Sequence, residues 1–185
     1  MNKKILYAVL AVVAVILLYG GVVYNSLVGK SEGIDNQWAQ VESQYQRRFD
    51  LIPNLVNSVK GAMKQEQEVF GKLADARTKY GGASTVNEKA KAATEVESAL
   101  SRLLVVMENY PQLKSSETVI TLMAQLEGTE NRISVERKRF NDMAMAYNLV
   151  VKRFPSKLVA MTFGFGEKNY FESAAGAENS PSVQF

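Results

Sequence analysis

The chain has 185 residues, with 22 Lys and Arg against 19 Asp and Glu, a formal charge of +3, and neither Cys nor His. Lack of Cys removes a disulfide framework, a thiolate nucleophile and a lipobox; lack of His removes the commonest general base and transition-metal ligand and would leave zinc an all-carboxylate site. The charge is too evenly balanced to point to nucleic acid as a partner.

The chain opens on a basic segment, residues 1–4, with Lys3 and Lys4. Residues 5–24 then carry no formal charge and are mostly Val, Leu, Ile and Ala. At 1.5 Å per residue such a run reaches about 30 Å, the thickness of a bilayer's hydrocarbon core. It is too long for the apolar part of a signal peptide, and no A-x-A site follows, so it reads as a membrane anchor. Tyr7, Tyr19 and Tyr24 lie near its ends, where amphipathic rings prefer the interface. Lys3 and Lys4 precede the span, and only Lys30 follows closely, beside Glu32 and Asp35. That bias places the N-terminus in the cytoplasm and the rest outside, although Arg47 and Arg48 lie within reach. Roughly 155 residues remain, enough for one domain with a core.

Residues 25–163 read as a helical bundle and residues 164–185 as a tail. The first helix is expected over 33–80, with an apolar stripe of Ile34, Trp38, Val41, Tyr45, Ile52, Leu55, Val59 and Met63. Pro53 lies within it and predicts a kink or a break. Gly81 and Gly82 close the segment. A second helix is expected over 86–109 on Val86, Ala93, Val96, Leu100, Leu103 and Met107, ending at Pro111, after which Ser115 or Ser116 can cap the next. A third is expected over 117–153, with a seam of Met123, Leu126, Ile133, Phe140, Ala144, Tyr147, Val151 and Phe154, and a short one over 156–163 after Pro155. No strand pattern or long repeat appears. The tail holds Phe165, Tyr170, Phe171 and Phe185, which would pack on the bundle or dip into the membrane interface.

The three long helices would span about 72, 36 and 56 Å. Short loops cannot match such lengths, so either the chain folds back at Pro53 or the stretch from Trp38 to Arg48 lacks an intrachain partner and packs against another copy. Trp38, Val41 and Tyr45 are therefore a candidate self-association surface, and a homo-oligomer is expected.

Charged residues interrupt the stripes. Heptad counting places Glu130 and Arg137 on the same line as Met123 and Ala144, and Arg48 falls between Tyr45 and Ile52. A buried charge must be paired or it costs several kcal/mol. Arg48, Glu130, Arg137 and Asn141, with Asp50, form a candidate buried polar network. Such a network binds something, acts as a switch or fixes helix register, unless the side chains snorkel to the rim. Glu127 and Glu130 are neighbours at a spacing common on solvated helices. Arg137, Lys138 and Arg139 diverge around the helix. Arg47 and Arg48 lie close enough to the span to meet anionic headgroups, although a solvated face suits Arg47 better. The end of the chain, Val183-Gln184-Phe185, fits a PDZ-type groove, which would connect the chain to envelope proteases.

Taken together, Asp35-Asn36-Gln37-Trp38 and Arg47-Arg48-Phe49-Asp50-Leu51-Ile52-Pro53-Asn54-Leu55-Val56 closely resemble the LemA family. So do Glu108-Asn109-Tyr110-Pro111 with Leu113-Lys114, Glu127-Gly128-Thr129-Glu130-Asn131-Arg132-Ile133, Phe140-Asn141, Tyr147-Asn148 and Phe154-Pro155. Phe49 and Phe140 stand where many members carry Tyr, which keeps the ring and drops the hydroxyl. The resemblance covers nearly the whole chain. It implies one N-terminal membrane helix, an antiparallel helical bundle, no established enzymatic activity, and a partner role near membrane metalloproteases or small TPM-domain proteins. It also admits the opposite orientation, with a short amino terminus outside.

The combined expectation is an all-α, single-pass protein of the inner membrane with a periplasmic domain, no cofactor and no catalysis. It would act as a scaffold or adaptor of the bacterial envelope, by protein contacts beside the bilayer. Two alternatives stay open. One is a sensor that transmits helix shifts through the polar seam. The other is a carboxylate-metal hydrolase using Asp50, Glu127 and Glu130.

Overall fold

The computed structural model describes residues 3–171, and among these it contains six helices and no strand. The helices are α1 (Lys3–Val59), α2 (Gln67–Gly82), α3 (Val86–Met107), α4 (Pro111–Lys114), α5 (Glu117–Lys152) and α6 (Ser156–Thr162). The start of α1 is long and apolar enough to cross a membrane, and its apolar window is 0% buried within the chain. The chain divides into two compact units. One comprises residues 3–38 with Lys138–Tyr170, the other Ala39–Arg137 with Phe171.

In the first unit residues 23–38 of α1 pack against the end of α5 and the segment that follows it. The Trp38 ring meets the edge of Phe140 at 6.1 Å, and Gly33 lies close to the Met143 methyl. Asn148 clamps the returning chain. Its amide donates to the Lys168 carbonyl at 2.8 Å, and its side-chain oxygen accepts the Lys168 N–H at 2.8 Å. Lys168 also faces Asp35 at 3.4 Å. The buried Ser156 hydroxyl reaches the Val150 carbonyl at 2.6 Å, which fixes the corner between α5 and α6. Gly164, at φ 75°, takes the left-handed conformation that lets the Phe165 N–H return to the Ala160 carbonyl.

The second unit packs the later half of α1 against α2, α3, α4 and the first half of α5. Every residue of the α1 stripe from Val41 to Val59 is buried, as are Met63 of the following turn and Val69, Leu73, Ala76 and Tyr80 of α2. Thr85 starts α3 with a full capping box. Its hydroxyl accepts from the Glu88 N–H at 3.2 Å, while the Glu88 carboxylate accepts from the Thr85 N–H at 3.0 Å. Pro111 starts α4, where its missing N–H costs nothing.

Three expectations are corrected here. The first helix does not end or restart at Pro53; α1 continues to Val59 and the chain turns over residues 60–66. Phe49, Ile52 and Leu55 are buried on both sides of Pro53, and that packing holds the helix through the lost hydrogen bond. The turn shortens the first arm, so the stretch from Trp38 to Arg48 has intrachain partners after all. Trp38, Val41 and Tyr45 are buried within the chain and offer no exposed surface for self-association. Phe154 closes no seam: α5 ends at Lys152, and Phe154 is exposed within the chain.

Candidate functional site

The site lies in the second unit and begins with aromatic packing. Tyr45 and Phe49 of α1 stack with centroids 5.6 Å apart, and Tyr80 of α2 meets Phe49 edge-on at 4.7 Å. These rings wall off a polar interior. The Tyr80 hydroxyl is buried without a hydrogen-bond partner, and burial together with Glu42 pushes its pKa up to about 12. Burial also raises the Tyr45 hydroxyl, with Glu97 of α3 adding to the effect.

Arg48 emerges one turn beyond Tyr45. Its side chain is 8% exposed, and it donates from Nη1 to Glu130 of α5, whose side chain is 51% exposed. The pair therefore runs from interior to surface. Burial lowers the Arg48 pKa, while Glu97 and Tyr45 oppose that change, and the guanidinium stays charged. Arg48 Nε and Glu97 Oε1 are buried without hydrogen-bond partners. Arg137 approaches Glu97 at 3.9 Å and lies over the Phe171 ring at 5.1 Å.

Of the four residues proposed as one network, Arg48 and Glu130 are joined. Arg137 approaches Glu97, which also acts on Arg48, and Asn141 lies on α5 within the first unit. In the second unit α5 buries the polar Thr129, whose hydroxyl donates to the Leu126 carbonyl at 2.7 Å, and Glu130 sits beside it at the rim. An α-helix turns every 3.6 residues, so a strict seven-residue count drifts off the packed face. Glu97 and Thr129 escaped sequence reasoning. Counting α3 and α5 at 3.6 residues per turn would have brought Thr129 into view.

The Arg48–Glu130 pair lines a cleft of about 720 Å³. Leu100, Leu104 and Met107 of α3, Leu113 of α4, and Val119, Ile120 and Met123 of α5 line its apolar walls. Glu108 and Glu127 join Glu130 at its polar margin. With Arg48 compensating one carboxylate, three acids against one base leave two negative charges at the margin. Such a cleft accepts an apolar side-chain row with a cation at one end. Asp50 accepts instead from Gln46 at 2.8 Å, and among the described residues no three carboxylates converge as metal ligands. Val183 and Phe185 lie outside the described residues.

These features define a class: a helical bundle following an apolar N-terminal helix, with a buried Arg paired to a half-exposed carboxylate and an acidic-rimmed apolar cleft. Residues 37–185 match the model of the LemA family, and the chain belongs to that family. It is similar to magnetosome protein MamQ 2 of Paramagnetospirillum magneticum, 28% identical over 191 residues, covering 89% of this chain and 69% of that protein. It is also similar to magnetosome protein MamQ of Magnetospirillum gryphiswaldense, 29% identical over 180 residues, covering 83% of this chain and 66% of the relative. Protein LemA of Metamycoplasma hominis is 22% identical over 137 residues, covering 74% and 63% respectively.

Proposed function

We propose that this LemA-family chain is a membrane-anchored adaptor that receives an apolar, basic-ended segment of a partner protein in the cleft between α3, α4 and α5. The anchor is residues 5–24, and the domain acts outside the cytoplasm of a bacterial inner membrane, by contact and without catalysis. One observation carries this reading: the apolar walls and the acidic margin occur in the same cleft. Apolar burial supplies affinity, and the acidic rim selects orientation. The N-terminal basic bias supports the orientation.

Affinity purification of the full chain in mild detergent tests the reading. Ala124→Arg places bulk and positive charge in the cleft, while Val135→Arg changes an exposed site on α5 that does not line it. Proteins recovered with the native chain and with the Val135 variant should be lost with the Ala124 variant. Equal recovery from all three removes the cleft from the function. If the lost partner is a second copy of this chain, sizing shows a fall in mass, and the adaptor reading becomes one of self-association.

A further inference from the structure

The short helix α6 is amphipathic in an unusual sense. Ser156 and Ala160, four residues apart, form its buried side. Leu158 and Met161, three apart, share the opposite side and are 58% and 70% exposed, and Phe154, in the turn that precedes the helix, is 81% exposed. Water is a poor partner for such a face, because large apolar side chains left in it forgo the gain of burial. Arg153 and Lys157, both exposed, flank it.

The first unit also says where this face lies. Tyr24, at the end of the apolar span, packs against Phe163 at 4.8 Å and Phe165 at 5.7 Å. Phe163 is the residue at which α6 ends. The C-terminal end of α6 therefore lies beside the end of the apolar span, whose Leu18 and Val22 are exposed.

Resting on the reading of residues 5–24 as an anchor, we infer that α6 is a second membrane contact: Phe154, Leu158 and Met161 insert into the interfacial layer of the bilayer that α1 enters. Arg153 and Lys157 meet anionic headgroups beside them. Proximity to the end of the span selects lipid as the occupant, and the basic flanks match a negatively charged leaflet. The consequence is a chain gripped at two points, with the end of α5 held at the membrane surface.

The chain lacks Cys, so single labelling sites are unambiguous. Full-length variants Leu158→Cys, Phe154→Cys, Val13→Cys and Asp142→Cys are labelled with an environment-sensitive fluorophore. They are reconstituted in vesicles of phosphatidylcholine with phosphatidylglycerol. All four positions are exposed in the folded chain, and position 142 lies about 15 Å before the end of α5. Labels at 13, 154 and 158 should emit at shorter wavelength and be quenched by nitroxide-bearing lipid, while the label at 142 should do neither. A label at 13 in lipid with those at 154 and 158 in water overturns the second contact and leaves the anchor standing. Water at position 13 as well overturns both. Shielding at 158 that follows protein density without lipid quenching identifies a second copy as the occupant and also overturns the inference.

Discussion

Arg48 of α1 donates to Glu130 of α5 across 82 positions of sequence, with the guanidinium buried and the carboxylate half in solvent. The arrangement ties two helices together and leaves one charged end in the cleft. Neutralising Glu130 leaves a buried cation with a weaker acceptor. Breaking a fully buried pair costs about 3–5 kcal/mol, and the exposure of Glu130 reduces that figure. Glu130→Gln should lower stability by about 1–2 kcal/mol, read as a lower urea midpoint with unchanged slope. An unchanged midpoint would show that solvent already satisfies Arg48.

Tyr80 predicts an alkaline weakness. Its hydroxyl titrates near 10.0 when exposed and at about 12 in the fold, mainly through burial. The folded state therefore keeps a proton that the unfolded chain releases. The contribution is whole below pH 10, and is lost as pH rises through 12, a change of roughly 2 kcal/mol. Tyr80→Phe should flatten this alkaline limb. Tyr45, raised for the same reason, leaves part of it. At neutral pH the variant should be as stable as the native chain or more so, because the hydroxyl is buried unpartnered. Thermal unfolding followed by circular dichroism across pH checks both statements.

The capping box at Thr85 makes a local prediction. Thr85→Ala removes the acceptor for the Glu88 N–H and should cost about 1 kcal/mol, while Thr85→Asp should retain most of it. Urea midpoints of the two variants distinguish a cap from an incidental contact.

Gly33 packs against the first unit's α5 segment. A Cβ there would lie 2.9 Å from the Met143 methyl, the mobile end of a flexible side chain. Gly33→Ala gains about 1 kcal/mol of helix propensity and asks only that methyl to move, so melting temperature should hold or rise. Gly33→Leu should lower it, since the added branch meets the same methyl without room.

The helices were legible where periodicity and punctuation agreed. Thr85 and Pro111 bracket α3, and Pro155 follows the end of α5, so those boundaries came within two residues. The turn over residues 60–66 was marked only by the six-residue step from Met63 to Val69, which interrupts the steps of three and four on either side of it. Pro53, the louder signal, is overruled by packing on both sides. At the site, Arg48 and Glu130 could be named from their positions in the stripes. Their partition between interior and cleft could not, since one step around α5 separates Thr129 from Glu130. The cleft itself draws on α3, α4 and α5, and Leu113 joins it only because the four-residue helix α4 forms.

The central claim is tested most directly by titrating the native chain, in lipid nanodiscs, with a fluorescent amphipathic peptide that carries lysines at one end. The cleft should bind it saturably. Ala124→Arg should weaken it at least tenfold, about 1.4 kcal/mol, with helicity unchanged. Binding that is absent, or equal in both proteins, would contradict the account.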